Sequence, residues 1–259
     1  MGVLEGKHAV VTGGGTGIGR AIAKRFREEG ATVVICGRRE QVLKEAVPAI
    51  SPDGSGVSYV VADVTKDEDI NRLVDTAKEA GGIDILVNNA AFMRFGALAD
   101  TDEETFEELL RVNVLGVWKV MNHVYPVMKE AGGGSIINLS SIAGHKAFPG
   151  TGAYCTSKAA VIMLSQVAAM EYAGAKVRVN IISPGLVEDT ELALPIFGEE
   201  KVEDFYAKLR PLHPLGRSGR SADIAEAALF FAQDGSEWIS GVMMPVDGAR
   251  HLATNRPQT

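Results

Sequence analysis

The stretch "VVTGGGTGIGRAIA" (residues 10–23) decides how the rest of the chain is read. It passes from β-branched residues through a glycine run into an amphipathic pattern: strand, turn, helix. Gly13, Gly17 and Gly19 give the spacing G-x-x-x-G-x-G. At a helix start of this kind the backbone N–H groups and the helix dipole point at an anion, and a β-carbon would hold a pyrophosphate off. The glycine cluster is also compatible with a plain tight turn, so its context matters.

That context repeats. Short apolar runs at 7–12, 31–36, 56–62, 83–88, 135–140, 177–183 and 242–246 read as buried strands. Helical patterns lie at 17–29, 40–49, 67–80, 102–130, 154–174 and 221–233. Strands alternating with helices over the whole length predict an α/β fold, a doubly wound parallel sheet covered by helices on both faces. No linker, repeat or charge block interrupts 1–259, so one domain is expected. The rhythm breaks at 186–215, an insertion punctuated by Pro and Gly that predicts short helices in a lid over a binding site. The tail "ATNRPQT" is expected to fray.

Composition narrows the partners. A net charge of −7 disfavours nucleic acid and anionic membrane. No apolar run is long enough to span a bilayer, and the N-terminus lacks a signal-peptide pattern, so a cytoplasmic setting is expected. Cys36 and Cys155 are too few for a disulfide framework or a structural zinc site, and the five histidines have no metal-ligand spacing, so no metal is expected.

Two further stretches carry chemistry. In "GAYCTSKAA" (152–160), Tyr154 and Lys158 stand one helical turn apart on one face. Taken alone, the pair reads as a surface pair, the tyrosine half buried and the lysine solvated. The second strand ends in "CGRR" (36–39), where dinucleotide folds often place an acid for the adenosine ribose. Here there is none. Gly37 leaves room and Arg38 supplies positive charge for a 2′-phosphate, while Arg39 reads as solvated.

The motifs TGGGTGIG (12–19), NNAA (88–91), N-V-x-G (113–116), LSS (139–141), Y-x-x-x-K (154–158) and SPG (183–185) occur in order. By this set the chain resembles the short-chain dehydrogenase/reductase family along essentially its full length. The resemblance implies a single-domain Rossmann fold of about seven strands. It also implies reduction of a carbonyl, or oxidation of an alcohol, with NAD(P). Tyr154 then looks like the acid/base and Lys158 its partner. Ser141, with Ser140 as second choice, looks like the group that holds the substrate oxygen, and Asn113 supports a water-linked proton relay. Gly13, Thr16, Gly17, Ile18 and Gly19 look like the phosphate turn. Asp63 and Val64 look like the adenine contact, Asn89 and Ala90 the ribose-side segment, and Pro184, Gly185 and Val187 the nicotinamide loop. The family's threonine five residues after that proline falls here on Asp189, with Thr190 one later, so either the loop bulges and Thr190 takes the place or the contact is altered. Thr190 is the choice made here.

On this reading Lys158 and an oxidised nicotinamide should lower the tyrosine pKa from its ordinary value near ~10. NADP(H) is the preferred cofactor, with NAD(H) as the other possibility. The substrate is a small ketone, 3-oxoacyl thioester or secondary alcohol. Val114, Val117, Val120 and Val124, with Met163, Val167 and Met170, suggest second apolar faces on the long helices and a homotetramer. A catalytically silent redox sensor or scaffold is the competing class, and loss of the tyrosine or lysine would have marked it. Sugar epimerases and dehydratases of similar fold carry a longer chain. His145, between the serine and the tyrosine, is a possible substrate wall. Cys155 reads as packing and Ser221 as an N-cap.

Overall fold

Seven apolar runs become seven strands; the five interior ones are largely buried on both faces, and the two at the sheet edges are only half-buried. In the computed structural model, which describes residues 2–192 and 194–253, they are β1 (His8–Thr12), β2 (Thr32–Gly37), β3 (Val57–Val61), β4 (Ile85–Asn88), β5 (Gly134–Leu139), β6 (Val177–Pro184) and β7 (Met243–Val246). They form one sheet in the order β3-β2-β1-β4-β5-β6-β7, with every pairing parallel. The described tail ends at Ala253; residues 254–259 lie outside the described residues.

Eight helices are described: α1 (Gly17–Glu28), α2 (Glu40–Ile50), α3 (Asp67–Glu79), α4 (Glu103–Leu110), α5 (Gly116–Glu130), α6 (Gly152–Tyr172), α7 (Leu194–Leu209) and α8 (Ser221–Ala232). Alternate strand residues face opposite layers. Ala9, Val11, Val33, Ile35, Ile85 and Val87 join Phe26 of α1, Leu43 of α2 and Phe231 of α8 in one core. Val10, Val34, Leu86 and Ile136 join Leu73 of α3, Met121 of α5 and Val161 of α6 in the other. The sheet is therefore sandwiched, which is why its strands read as continuous apolar runs. The result is a single-domain Rossmann-like α/β fold, as the alternation implied.

Strand order reverses at β1, whose neighbours are β2 on one side and β4 on the other. The connections leave β1 in opposite directions there, so a crevice opens at the carboxyl ends of these strands.

Two of the expected helical features need adjusting and one is met. The helix expected over 102–130 is two helices joined by a π-helical turn, Arg111–Leu115, that contains Asn113. The insertion does contain short helices: α7 is two helical pieces that meet at a break at Gly198, whose φ of 70° and ψ of 165° are not helical. Ser221 is the first residue of α8, not its cap; Arg220 is the N-cap residue, and its backbone N–H donates to the Asp223 carboxylate (2.7 Å).

Candidate active site

The crevice holds a cavity of about 770 Å³ that runs from the β1–α1 turn and the end of β2 to the start of α6. At one end is the glycine turn. Gly17 has φ of 49°, a conformation that favours glycine, and a β-carbon there would stand 3.3 Å from the Thr190 side chain. A β-carbon at Gly19 would stand 2.3 Å from the Gly13 carbonyl oxygen and 2.5 Å from Asn89 Nδ2, so only glycine fits. The turn is fastened from below by Thr12. Its buried hydroxyl accepts from the N–H groups of Asn89 (3.0 Å) and Ala90 (3.1 Å), and Asn89 Nδ2 donates to the Thr12 (3.0 Å) and Gly13 (3.1 Å) carbonyls. Thr12 was not singled out from the sequence. Its place at the strand end just before the glycines was the available signal.

Of the residues expected at a dinucleotide, Gly13, Thr16, Gly17, Ile18, Arg38, Asp63, Val64, Asn89, Ala90, Pro184, Gly185, Val187 and Thr190 all border this cavity. Gly19 lies behind it, where its role is the close packing just described. Asp189 and Thr190 differ in direction. Thr190 borders the cavity, whereas the Asp189 carboxylate turns to the start of α8, accepting from the Ser221 N–H (2.7 Å) and hydroxyl (3.0 Å). A carboxylate at a helix N-terminus satisfies donors that would otherwise lack partners.

The cofactor end also corrects an expectation. Arg39 is not merely solvated: its Nη2 donates to Glu191 Oε2 at 2.5 Å, and Glu191 borders the cavity from the insertion.

The other end of the cavity receives the first turn of α6. Tyr154 and Lys158 are both buried, and Lys158 Nζ lies 5.7 Å from the Tyr154 ring centroid while donating to the Leu139 carbonyl (2.9 Å). Ser140 turns away, its hydroxyl bonded to the Lys158 carbonyl (2.9 Å). Ser141 borders the cavity, accepts from the Ala143 N–H (3.1 Å), and hydrogen-bonds the phenol of Tyr154. Asn113 is fully buried behind them. Its amide donates to the Phe92 carbonyl (2.9 Å) and the Ser157 hydroxyl (3.1 Å), and its oxygen accepts from the Phe92 N–H (3.0 Å). The π-helical turn thus presents a side chain that ties the loop after β4 to α6, one residue before Lys158.

Burial pushes the Tyr154 phenol up to about 12, against a smaller downward pull from Ser141, and pushes the Lys158 ammonium down from 10.5 to about 8. The expected lowering of the phenol is therefore not supplied by the protein alone. Desolvation outweighs an ammonium engaged with Leu139.

Apolar walls complete this end: Phe92, Met93, Phe95, Phe148, Leu192, Phe205 and Tyr206. Phe95 and Phe205 meet edge to face, 6.2 Å between centroids, so α7 leans across the cavity onto the loop after β4. Arg250, buried at the end of the described chain, lies 5.7 Å over the Phe148 ring and also borders the cavity. These walls come from segments distant in sequence and carry no motif. His145 is not among them: it packs against His251, 5.8 Å between ring centroids.

Comparison with known proteins agrees with this geometry. Residues 13–251 match the family model described as enoyl-(acyl carrier protein) reductase. The chain is 37% identical over 247 residues to dehydrogenase/reductase SDR family member 4 of Mus musculus, covering 95% of this chain and 87% of that protein. It is 37% identical over 249 residues to 3-oxoacyl-[acyl-carrier-protein] reductase FabG of Chlamydia trachomatis, covering 95% and 98%. Among solved structures, a short-chain type dehydrogenase/reductase from Mycobacterium marinum superposes with a TM-score of 0.89 at 34% identity, over 95% of this chain and 96% of that one. The chain belongs to the short-chain dehydrogenase/reductase family. It is an oxidoreductase of that family's kind, moving a hydride between NAD(P)(H) and a carbonyl or alcohol.

Proposed function

We propose that the protein is an NADP(H)-preferring reductase of a small apolar ketone or 3-oxoacyl thioester, with Tyr154 as its acid/base. The observation that carries this is the meeting, in one cavity, of the glycine turn at one end and the buried Tyr154–Ser141–Lys158 group at the other. The turn, Asn89–Ala90 and the 184–190 loop would hold a dinucleotide, since the positions nearest it are those a β-carbon would fill. When bound, its nicotinamide supplies or accepts the hydride.

The chain's own groups manage the proton and the geometry. A phenol held near 12 is neutral at physiological pH and ready to donate to a carbonyl oxygen as that oxygen gains charge. The Ser141 hydroxyl donates to the same oxygen and fixes its position. Lys158 supplies positive charge beside the ring, and Asn113 holds the lysine's helical turn in place through Ser157. Phe92, Phe95, Phe148 and Phe205 favour an apolar substrate body and limit water at the reacting carbon. The 186–215 segment acts as the lid.

The NADP(H) preference rests on Arg38, exposed at the cavity's edge where no carboxylate follows β2. Assembly as a homotetramer rests on exposed apolar residues. Val117, Val120 and Val124 belong to the core, but Leu115 of the π-helical turn, Trp118 of α5 and Met163, Val167 and Met170 of α6 face outward. The test is a panel of ketones, 3-oxoacyl thioesters and secondary alcohols assayed with NADPH, NADH and their oxidised forms by nicotinamide absorbance. Turnover of apolar ketones with NADPH is expected. Absence of turnover with every ketone and thioester would overturn the reading.

A further inference from the structure

The insertion carries three acids in four residues, and each is committed to a different element. Glu188 forms a two-pronged pair with Arg210 at the end of α7 (2.7 and 2.6 Å). Asp189 caps the start of α8 (2.7 Å to the Ser221 N–H). Both partners lie on the insertion's own side of the cavity. Glu191 reaches across it, to Arg39 at the start of α2. Thr190, between the second and third of these acids, lies against Gly17 of the phosphate turn. The segment is therefore a strap over the cofactor end, anchored at 188–189 and closed at 191.

This places a carboxylate where β2 itself provides none. Gly37, Arg38, Arg39 and Glu191 all border the cavity, so Glu191 shares with two arginines the corner that would take an adenosine ribose. A 2′-phosphate brings about two negative charges to that corner. If Arg39 turns to the phosphate, Glu191 loses its partner; if Glu191 keeps Arg39, the phosphate is denied that guanidinium. Ribose hydroxyls, as in NAD(H), create no such conflict.

We propose that Glu191 is a cofactor-specificity residue: it occupies Arg39 as an intramolecular competitor of the 2′-phosphate, so that strap closure and NADP(H) binding oppose one another. This rests on the dinucleotide reading of the cavity given above. Selectivity here is set by a competing element as well as an attractive one. The coupling is reciprocal, so whatever Glu191 costs the phosphate, the phosphate costs the strap. Both side chains are more than two-fifths exposed, which keeps the effect moderate.

The test is equilibrium titration of NADPH and NADH by fluorescence at low salt, with 2′,5′-ADP and AMP as competitors that isolate the phosphate. Glu191→Gln keeps the size and the hydrogen-bonding capacity and removes the charge. It should tighten NADPH and 2′,5′-ADP by about three- to tenfold and leave NADH and AMP within about twofold. In an Arg39→Leu background the same substitution should lose most of that effect, because the competition runs through Arg39. An unchanged NADPH/NADH ratio in Glu191→Gln overturns the inference while leaving the oxidoreductase reading intact. So does equal weakening of both cofactors, which would make Glu191 a lid anchor only, or a full effect that persists without Arg39. Failure of the wild-type protein to bind either dinucleotide would overturn both readings.

Discussion

At the scale of single residues, burial sets the protonation of the two groups proposed to carry the chemistry. Lys158 is depressed from 10.5 to about 8 in the folded protein. Above pH 10.5 the lysine is neutral whether folded or not. As pH falls the unfolded chain protonates first, and the penalty for burying the ammonium grows until it is complete below about pH 8. Its full size is about 3 kcal/mol, of which the hydrogen bond to Leu139 returns about 1. Lys158→Met should therefore stabilise the fold by about 2 kcal/mol at pH 7 while losing most activity, and the gain should shrink towards pH 10.5. Paired thermal melts at the two pH values check this; a less stable variant at pH 7 would contradict it. The Y-x-x-x-K spacing put Tyr154 and Lys158 one turn apart in the sequence, and the family resemblance added Ser141. The direction of the phenol's shift was not, because desolvation depends on what β5, the loop after β4 and α6 bring together around Tyr154.

Among the elements, the strands read correctly because parallel strands covered on both faces leave continuous apolar runs, and the turn into α1 was legible because Gly17 takes a positive φ and Gly19 has no room for a β-carbon. The π-helical turn at Arg111–Leu115 left no such mark. It exists to aim Asn113 at Phe92 and Ser157, partners supplied by other segments. The reach of Asp189 to α8 was equally hidden, since it depends on Ser221 lying 32 positions further on. Removing that carboxylate with Asp189→Ala should cost about 0.5–2 kcal/mol through loss of the helix-terminus contacts, read as a lower denaturant midpoint. Phe26→Ala, which empties a fully buried site under α1, should cost about 3–5 kcal/mol in the same experiment. If the two variants were equally stable, α1 would not be packed as described.

For the whole molecule, two surfaces and one cavity define behaviour. The outward residues Trp118, Met163 and Met170 predict self-association, and light scattering at micromolar concentration should give the mass of a tetramer; a monomer would contradict it. Parts of the cavity wall, such as Phe205 and Arg250, converge only in three dimensions, which is why the substrate end was the least legible part of the site. The account as a whole depends on one phenol linking proton transfer to hydride transfer. Its most direct measurement is a single turnover of bound NADPH with the best ketone of the panel, in wild type and in Tyr154→Phe, with NADPH affinity determined in parallel. Phenylalanine keeps the ring and its packing and removes only the proton and its hydrogen bond. NADPH affinity should stay within about threefold, and the rate of cofactor oxidation should fall on the order of a hundredfold or more. Near-normal turnover in the variant would show that Tyr154 is not the acid/base.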